Sequence, residues 1–143
     1  MIGNQDTICA LATPNGIGAI GMIRLSGKES LLIASKVFSK SLENTASHTA
    51  HFGTIKDDKG ELIDEVLITV FAEGKSFTGE QSAEISCHGS PFIQQQIIQE
   101  LLTKWHYFLH HFFNSLSKSA GILFLATVII FLINGINAIK NTS

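Results

Sequence analysis

Two charged side chains lie in otherwise apolar segments, and they are the residues of this sequence best suited to bind a ligand. Arg24 lies within residues 19–25, whose other members are apolar, and Glu84 lies between Ala83 and Ile85. Burying either charge without a partner is costly, so each must meet an opposite charge, a ligand or a strand edge. Both residues line one polar pocket, or they simply pair with each other or reach the surface; the sequence leaves these readings open.

Three further groups have the residue types of a catalytic or metal site, but their placement argues against one. Cys87 and His88 would make a nucleophile and a base, yet neighbours on a strand point to opposite faces. His106 and His110 have the i, i+4 spacing of helical metal ligands, but two ligands without a carboxylate are too few. Glu80 could assist a binding site, but it lies in a predicted loop and is expected to be solvated.

Glycine spacing gives one misleading signal. Gly16, Gly18 and Gly21 spell GxGxxG, the dinucleotide-binding fingerprint, which requires a strand before it and a helix after it. Residues 22–25 instead have the apolar character of a strand, so a Rossmann site is excluded. The sequence also contains no GxxxxGK[ST] motif, and we expect no P-loop for GTP in this chain.

The hydrophobic pattern predicts an α+β domain of about five strands and two helices. Turn residues and apolar runs predict strands over residues 6–11, 19–25, 48–56, 61–71 and 82–86. Residues 57–60, with sequence DDKG, predict a hairpin turn with Gly60 in the positive-φ position. Apolar spacing predicts a helix over residues 29–38, which Ser26 or Gly27 would cap, and a second helix that Ser90 caps, from Pro91 to about residue 104.

Composition narrows the class of protein. The net charge of −2 argues against a dedicated nucleic-acid binder, which usually has a basic face. The two cysteines, Cys9 and Cys87, lack CxxC spacing and predict neither a disulfide framework nor a zinc site, as in a reducing cytoplasm. The amino terminus has no basic and apolar run typical of a signal peptide, so we expect a cytoplasmic protein.

The last part of the chain differs from the rest. All 12 acidic residues precede Trp105, while five of the ten Phe residues follow it. Residues 120–133 are apolar except for Thr127, and extension to residue 136 gives about 17 positions, the lower limit for a membrane-spanning helix. We therefore expect one domain over residues 1–104 and an unrelated hydrophobic helical tail over 105–143, with a possible membrane segment at 120–136.

Two motifs carry a family resemblance. The first is Asp6-Thr7-Ile8 followed by ATPNGIGAIGMIRLSG at residues 12–27, and the second is SFTGEQSAEISCHGS at residues 76–90. Together they resemble the amino-terminal domain of the MnmE/TrmE family of tRNA-modification GTPases, in register from about Gln5 to Lys104. The resemblance implies a mixed-sheet tetrahydrofolate-binding domain, similar to the folate domain of glycine-cleavage aminomethyltransferase, that forms a constitutive homodimer.

The resemblance also implies a function. The family binds 5-formyl- or 5,10-methylene-tetrahydrofolate, and its folate-contacting arginine and glutamate fall on Arg24 and Glu84. The one-carbon unit contributes to a carboxymethylaminomethyl group on the wobble uridine of certain tRNAs, together with the flavoprotein MnmG (GidA). In this family GTP, Mg²⁺ and K⁺ bind in a separate GTPase domain, and tRNA would reach the amino-terminal domain only indirectly.

The resemblance stops after Lys104. The family continues with an R-A-F-L-N-x-K-L-D-like stretch, whose lysine is a third folate contact, and nothing in residues 105–143 matches it. We therefore expect a truncated, frameshifted or fused amino-terminal domain that is non-catalytic alone. The alternatives are a membrane-anchored protein with a vestigial folate module and a dimerising module that does not bind folate.

Overall fold

The computed structural model describes residues 7–76 and 78–119, which form five strands and two helices. In chain order these are β1 (Ile8–Leu11), β2 (Ile20–Ser26), α1 (Ser30–Val37), β3 (Thr49–Lys56), β4 (Leu62–Phe71), β5 (Ser82–His88) and α2 (Pro91–Ser119). The predicted α+β class and the predicted number of elements are confirmed within these residues.

The strands form one sheet in the order β1-β2-β5-β4-β3, and every neighbouring pair is antiparallel. The mixed sheet implied by the family resemblance is therefore wrong for the described strands. A parallel pair needs a crossover connection that places the next strand beside the strand that the chain left. Here α1 connects β2 to β3, and β3 lies at the far edge of the sheet, where it does not pair with β2.

One face of the sheet, the core face, packs against the helices. Ile23, Ile85 and Ile68 lie opposite one another on β2, β5 and β4, and none of them is exposed to solvent. Ile97 and Leu101 of α2 belong to the same buried cluster, together with residues of α1. Alternation along each strand sends the neighbouring side chains to the other face, which we call the outer face.

The predicted hairpin is confirmed in detail. Gly60 has φ +85°, a backbone conformation that glycine adopts without steric cost. Asp57 Oδ1 accepts hydrogen bonds from the backbone N–H of Lys59 at 2.9 Å and of Glu61 at 2.8 Å. These local bonds hold the turn and set the register of β3 on β4.

Local chemistry explains only part of where the helices begin. The N-cap of α1 is Glu29, without a side-chain bond, so the predicted cap by Ser26 or Gly27 is wrong. The start of α2 at Pro91 is confirmed, but α2 continues beyond residue 104 to Ser119, because residues 105–119 contain no Gly or Pro to end it. The chain divides into two compact units, Met1–Trp105 and His106–Ser143.

No helix among the described residues is long and apolar enough to cross a membrane. The membrane segment predicted at residues 120–136 lies outside the described residues.

A short segment after α1 lies along the outer edge of β3. The backbone N–H of Ser39 donates to the carbonyl of Thr54, and the N–H of Thr54 donates to Ser39 Oγ. Lys40 Nζ donates to the carbonyl of Phe52 at 2.6 Å. Backbone groups of an edge strand that would otherwise face solvent are thereby satisfied within the chain.

The contact between Gly18 and Gly89 generates a stability prediction. Gly18 N donates to Gly89 O at 2.9 Å, and a Cβ on Gly89 would lie 2.1 Å from the carbonyl oxygen of Gly18. Gly89→Ala should lower the free energy of unfolding by about 1–3 kcal/mol in a urea titration, because backbone must move. Gly18→Ala is the control, since its Cβ would meet only Ile20 O at 3.7 Å; equal stability of the two variants would contradict the prediction.

The two cysteines generate a second prediction. Burial raises the pKa of Cys9 to about 11, and burial together with the charge of Asp64 raises the pKa of Cys87 to about 11. Thiolates are the reactive species, so iodoacetamide at pH 8 should label neither residue quickly in the native chain and both in guanidinium, as mass spectrometry would measure.

The raised pKa values of Cys9 and Cys87 also predict how the free energy of unfolding depends on pH. The unfolded chain ionises its thiols first, so the free energy of unfolding should fall as the pH rises from about 9 towards 11. Rapid native labelling of either cysteine at pH 8 would contradict the raised pKa values.

Candidate functional site

Arg24 and Glu84 form an ion pair on the outer face of the sheet. They are directly opposed in the register of β2 on β5. Arg24 Nε donates to Glu84 Oε1 at 3.0 Å, and Arg24 Nη2 donates to the same oxygen at 2.7 Å. The side chains are 43% and 21% exposed, so solvent screens the pair and limits its stabilisation to about 1 kcal/mol or less. The structure thus brings together the two predicted site residues. Their charges pair with each other, which is one of the alternatives that the sequence left open.

The ion pair leaves hydrogen-bonding capacity for a ligand. Both guanidinium donors go to Oε1 of Glu84, so Glu84 Oε2 and Arg24 Nη1 make no hydrogen bond to any described residue. One acceptor and one donor of the ion pair are therefore unused, and both side chains are partly exposed. Such groups suit a ligand that carries both an N–H donor and a carbonyl oxygen.

The β4–β5 loop, described over residues 72–76 and 78–81, borders the ion pair on one side. Ser26 and Ser82 are opposed on the next outer-face row of β2 and β5, and each is only 4% exposed. Ser26 Oγ donates to Glu80 Oε2 at 2.7 Å. Glu80 is exposed as predicted, but it is bound to the strand that carries Arg24, which its position in a loop did not indicate.

Apolar side chains border the ion pair on the other side. Met22 of β2 and Leu67 of β4 flank Ser86 of β5 on the adjacent outer-face row. Leu67 is 42% exposed, and Ile20, two positions before Met22, is 64% exposed. The outer face therefore offers a polar pair between an ordered loop and an apolar surface, the usual composition of a small-molecule site.

A second polar contact, between Asp64 and His88, was missed in the sequence. Asp64 occupies a buried position of β4, where it accepts a hydrogen bond from the backbone N–H of His88 at 2.9 Å. Its other carboxylate oxygen lies 2.6 Å from His88 Nδ1. The Asp64 carboxylate satisfies the end of β5, where backbone pairing with β4 has stopped at Ser86. The available signal in the sequence was an acidic residue at a position of β4 that the alternating pattern assigns to the buried face.

Cys87 and His88, which the sequence offered as a nucleophile and a base, do not contact each other. Cys87 is buried on the core face, where its Sγ contacts the carbonyl of Gly21, while the side chain of His88 is 71% exposed. The two therefore point apart, as predicted. In the His-rich segment the rings of Tyr107 and His111 lie 4.3 Å apart, and no group of three potential metal ligands occurs among the described residues.

Comparison with known proteins agrees with this fold and these motifs. A family model described as "GTP-binding protein TrmE N-terminus" matches residues 7–111. The tRNA modification GTPase MnmE of Flavobacterium johnsoniae is 54% identical over 105 residues, and that of Cytophaga hutchinsonii is 55% identical over 102 residues. Each of these matches covers 71% of this chain and 22% of the relative, so the chain spans only about a fifth of the length of these proteins.

A third relative gives the same result. The tRNA modification GTPase MnmE of Bdellovibrio bacteriovorus is 50% identical over 100 residues, which cover 69% of this chain and 21% of the relative. The matched region contains every described strand, the Arg24–Glu84 pair and the β4–β5 loop. The chain belongs to the TrmE amino-terminal domain family.

Proposed function

We propose that this chain is a folate-binding and dimerising module of a tRNA wobble-uridine modification system in the cytoplasm. The Arg24–Glu84 pair carries the proposal, because it keeps one unused acceptor and one unused donor on partly exposed side chains. The relatives that the chain matches are named tRNA modification GTPases, which supports the same system. The matched part is about a fifth of these relatives, and we assign the GTP, Mg²⁺ and K⁺ binding that the family resemblance implies to a separate domain.

The pterin ring of a tetrahydrofolate suits the ion pair chemically. Its edge carries N–H donors beside a carbonyl oxygen, so Glu84 would accept from the ring and Arg24 would donate to it. Glu84 Oε2 and Arg24 Nη1 do not take part in the ion pair, so these contacts would not require the pair to open. No charge has to be buried without its partner when the ligand binds.

The remaining parts of the ligand have matching surfaces. Met22 and Leu67 would offer apolar contact to the aminobenzoyl ring beside the ion pair. When bound, 5-formyl- or 5,10-methylene-tetrahydrofolate supplies the one-carbon unit. The residues of this chain bind and orient it, and a flavoprotein partner similar to MnmG (GidA) and the tRNA complete the modification.

Dimerisation is the second part of the proposal. The outer face exposes large apolar side chains, among them Ile20 (64%), Phe52 (58%) and Leu67 (42%). Exposed apolar surface of this kind is typical of protein–protein contacts. A second copy of the chain is the occupant we propose, and it would enclose ligands bound at the Arg24–Glu84 pair between two sheets.

Titration with 5-formyltetrahydrofolate tests the folate site. The chain should bind it saturably, and Arg24→Ala and Glu84→Ala should each raise the Kd at least about tenfold, because each removes a charged hydrogen-bonding partner. Isothermal titration calorimetry measures the Kd directly. Glu65→Ala is the matched control, since Glu65 is an exposed acidic residue of β4 without a salt bridge among the described residues.

Two results would refute the proposed folate site. An absence of saturable binding by the unmodified chain would refute folate binding itself, and, combined with an intact dimer, it would favour the alternative of a dimerising module that does not bind folate. Equal affinity in Arg24→Ala, Glu84→Ala and the control would refute the assignment of the site to this ion pair.

Analytical ultracentrifugation tests the dimer. The chain of 15.5 kDa should sediment at twice that mass at micromolar concentration, and Leu67→Glu should sediment as a monomer because it places a charge in the apolar outer face. Leu62→Glu is the control. Leu62 is 58% exposed, but it lies at the hairpin end of β4 and its side chain does not alternate onto the outer face. A monomeric unmodified chain, or a dimeric Leu67→Glu variant, would refute this part.

A further inference from the structure

We propose that Glu80 is a positioning residue, which orders the β4–β5 loop beside the Arg24–Glu84 pair through its bond to Ser26 and does not itself contact the ligand. This inference rests on the proposed function, because the loop is taken as one wall of the folate site. It assigns a role to a carboxylate that the ion pair does not use.

The contact between Glu80 and Ser26 crosses from the loop to the strand that carries Arg24. The two residues are 54 positions apart in the sequence, and Ser26 Oγ donates to Glu80 Oε2 at 2.7 Å. Ser26 is 4% exposed and lies two positions after Arg24, on the same face of β2. The serine hydroxyl is thus a fixed donor, and a carboxylate acceptor forms a stronger bond with it than a neutral group.

The loop is organised around this contact by its own hydrogen bonds. Gly74 N donates to Gly79 O at 2.7 Å, and Gly79 N donates to Ser76 O at 3.2 Å. Ser76 Oγ donates to the carbonyl of Glu80, and Thr78 Oγ1 lies 3.3 Å from Ser76 Oγ and 3.5 Å from Ser26 Oγ. Gly74 and Gly79 have φ of +74° and +81°, which most other residues adopt only with strain.

These bonds join into one connected network with a single charged member. Ser26 anchors the network to the sheet, Glu80 connects the anchor to the loop, and Ser76 connects Glu80 to the turn. Removal of either partner of the Ser26–Glu80 bond should therefore loosen the loop without affecting the core face. The loop then presents its wall to the ligand only part of the time, which lowers the apparent affinity by that fraction.

The chemistry of the bond separates positioning from direct ligand contact. Glu80→Gln keeps an oxygen acceptor for Ser26 and removes the charge, whereas Glu80→Ala removes both. Ser26→Ala breaks the same bond from the other side and leaves the carboxylate in place. A positioning role predicts that Ser26→Ala resembles Glu80→Ala, and a direct ionic contact with the ligand predicts that Glu80→Gln resembles Glu80→Ala.

The experiment has two readouts on the full chain. Hydrogen exchange of the Gly74 and Gly79 amides, measured by NMR without ligand, reports whether the loop is ordered. Calorimetric titration with 5-formyltetrahydrofolate reports the Kd. Thermal unfolding of each variant confirms that the domain is folded, and Glu73→Ala is the control, because Glu73 is an exposed acidic residue of the same loop.

We expect Ser26→Ala and Glu80→Ala to accelerate exchange of both amides and to raise the Kd about tenfold, as loss of one charged hydrogen bond predicts. Glu80→Gln and Glu73→Ala should stay within about threefold of the unmodified chain. Unchanged exchange in Ser26→Ala, or a Glu80→Gln variant as weak as Glu80→Ala, would overturn the proposal. If the unmodified chain binds no folate, the proposed function fails, and the exchange readout alone decides whether Glu80 orders the loop.

Discussion

The pairing of β2 with β5 is the interaction on which the rest of this domain depends. Seven residue pairs join the two strands, from Ile20 opposite His88 to Ser26 opposite Ser82, although Arg24 and Glu84 are 60 positions apart in the sequence. Such long-range pairing closes a large loop and is entropically demanding, so it needs close backbone contact along its whole length. The glycine contact at residues 18 and 89 closes one end, and the bond from Gly27 N to Gln81 O at 2.9 Å closes the other.

The same pairing places the residues that stabilise the core and the proposed ligand-binding residues on opposite faces of the sheet. Side chains alternate between the two faces of each strand, so Ile23 and Ile85 contribute to the core. Arg24 directly follows Ile23 and Glu84 directly precedes Ile85, so this pair lies on the accessible face. The core contacts fix the distance between the two charges, and the charges contribute little to the core. A surface of this kind can therefore vary in its polar residues, its loop and its apolar border without loss of the sheet that supports them.

Local signals in the sequence predicted the local parts of the fold. The DDKG turn and the start of α2 at Pro91 depend on residues within a few positions of each other, and both were correct. The end of α2 was wrong because composition changes at residue 105 while no helix-breaking residue occurs before Ser119. The mixed sheet was wrong because strand order depends on which edge the chain reaches after α1, and no residue pattern records that.

In the candidate site, too, only the features that depend on local sequence could be predicted. Arg24 and Glu84 were identifiable because a charge in an apolar strand demands a partner. The bond of Glu80 to Ser26 and the bond of Asp64 to His88 join residues that are 54 and 24 positions apart. Each depends on a three-dimensional approach between a loop and a strand, or between two strand ends, that a periodic pattern does not contain.

The segment along β3 has a consequence for how copies of this domain can associate. Ser39 and Lys40 are hydrogen-bonded to the backbone of β3 at Phe52 and Thr54, so this part of the edge is less available to the strand of another molecule. The opposite edge is β1, which has only four residues and offers a short template. Continuous extension of the sheet from one molecule to the next is thereby discouraged, so the fold is biased away from open fibrous polymers.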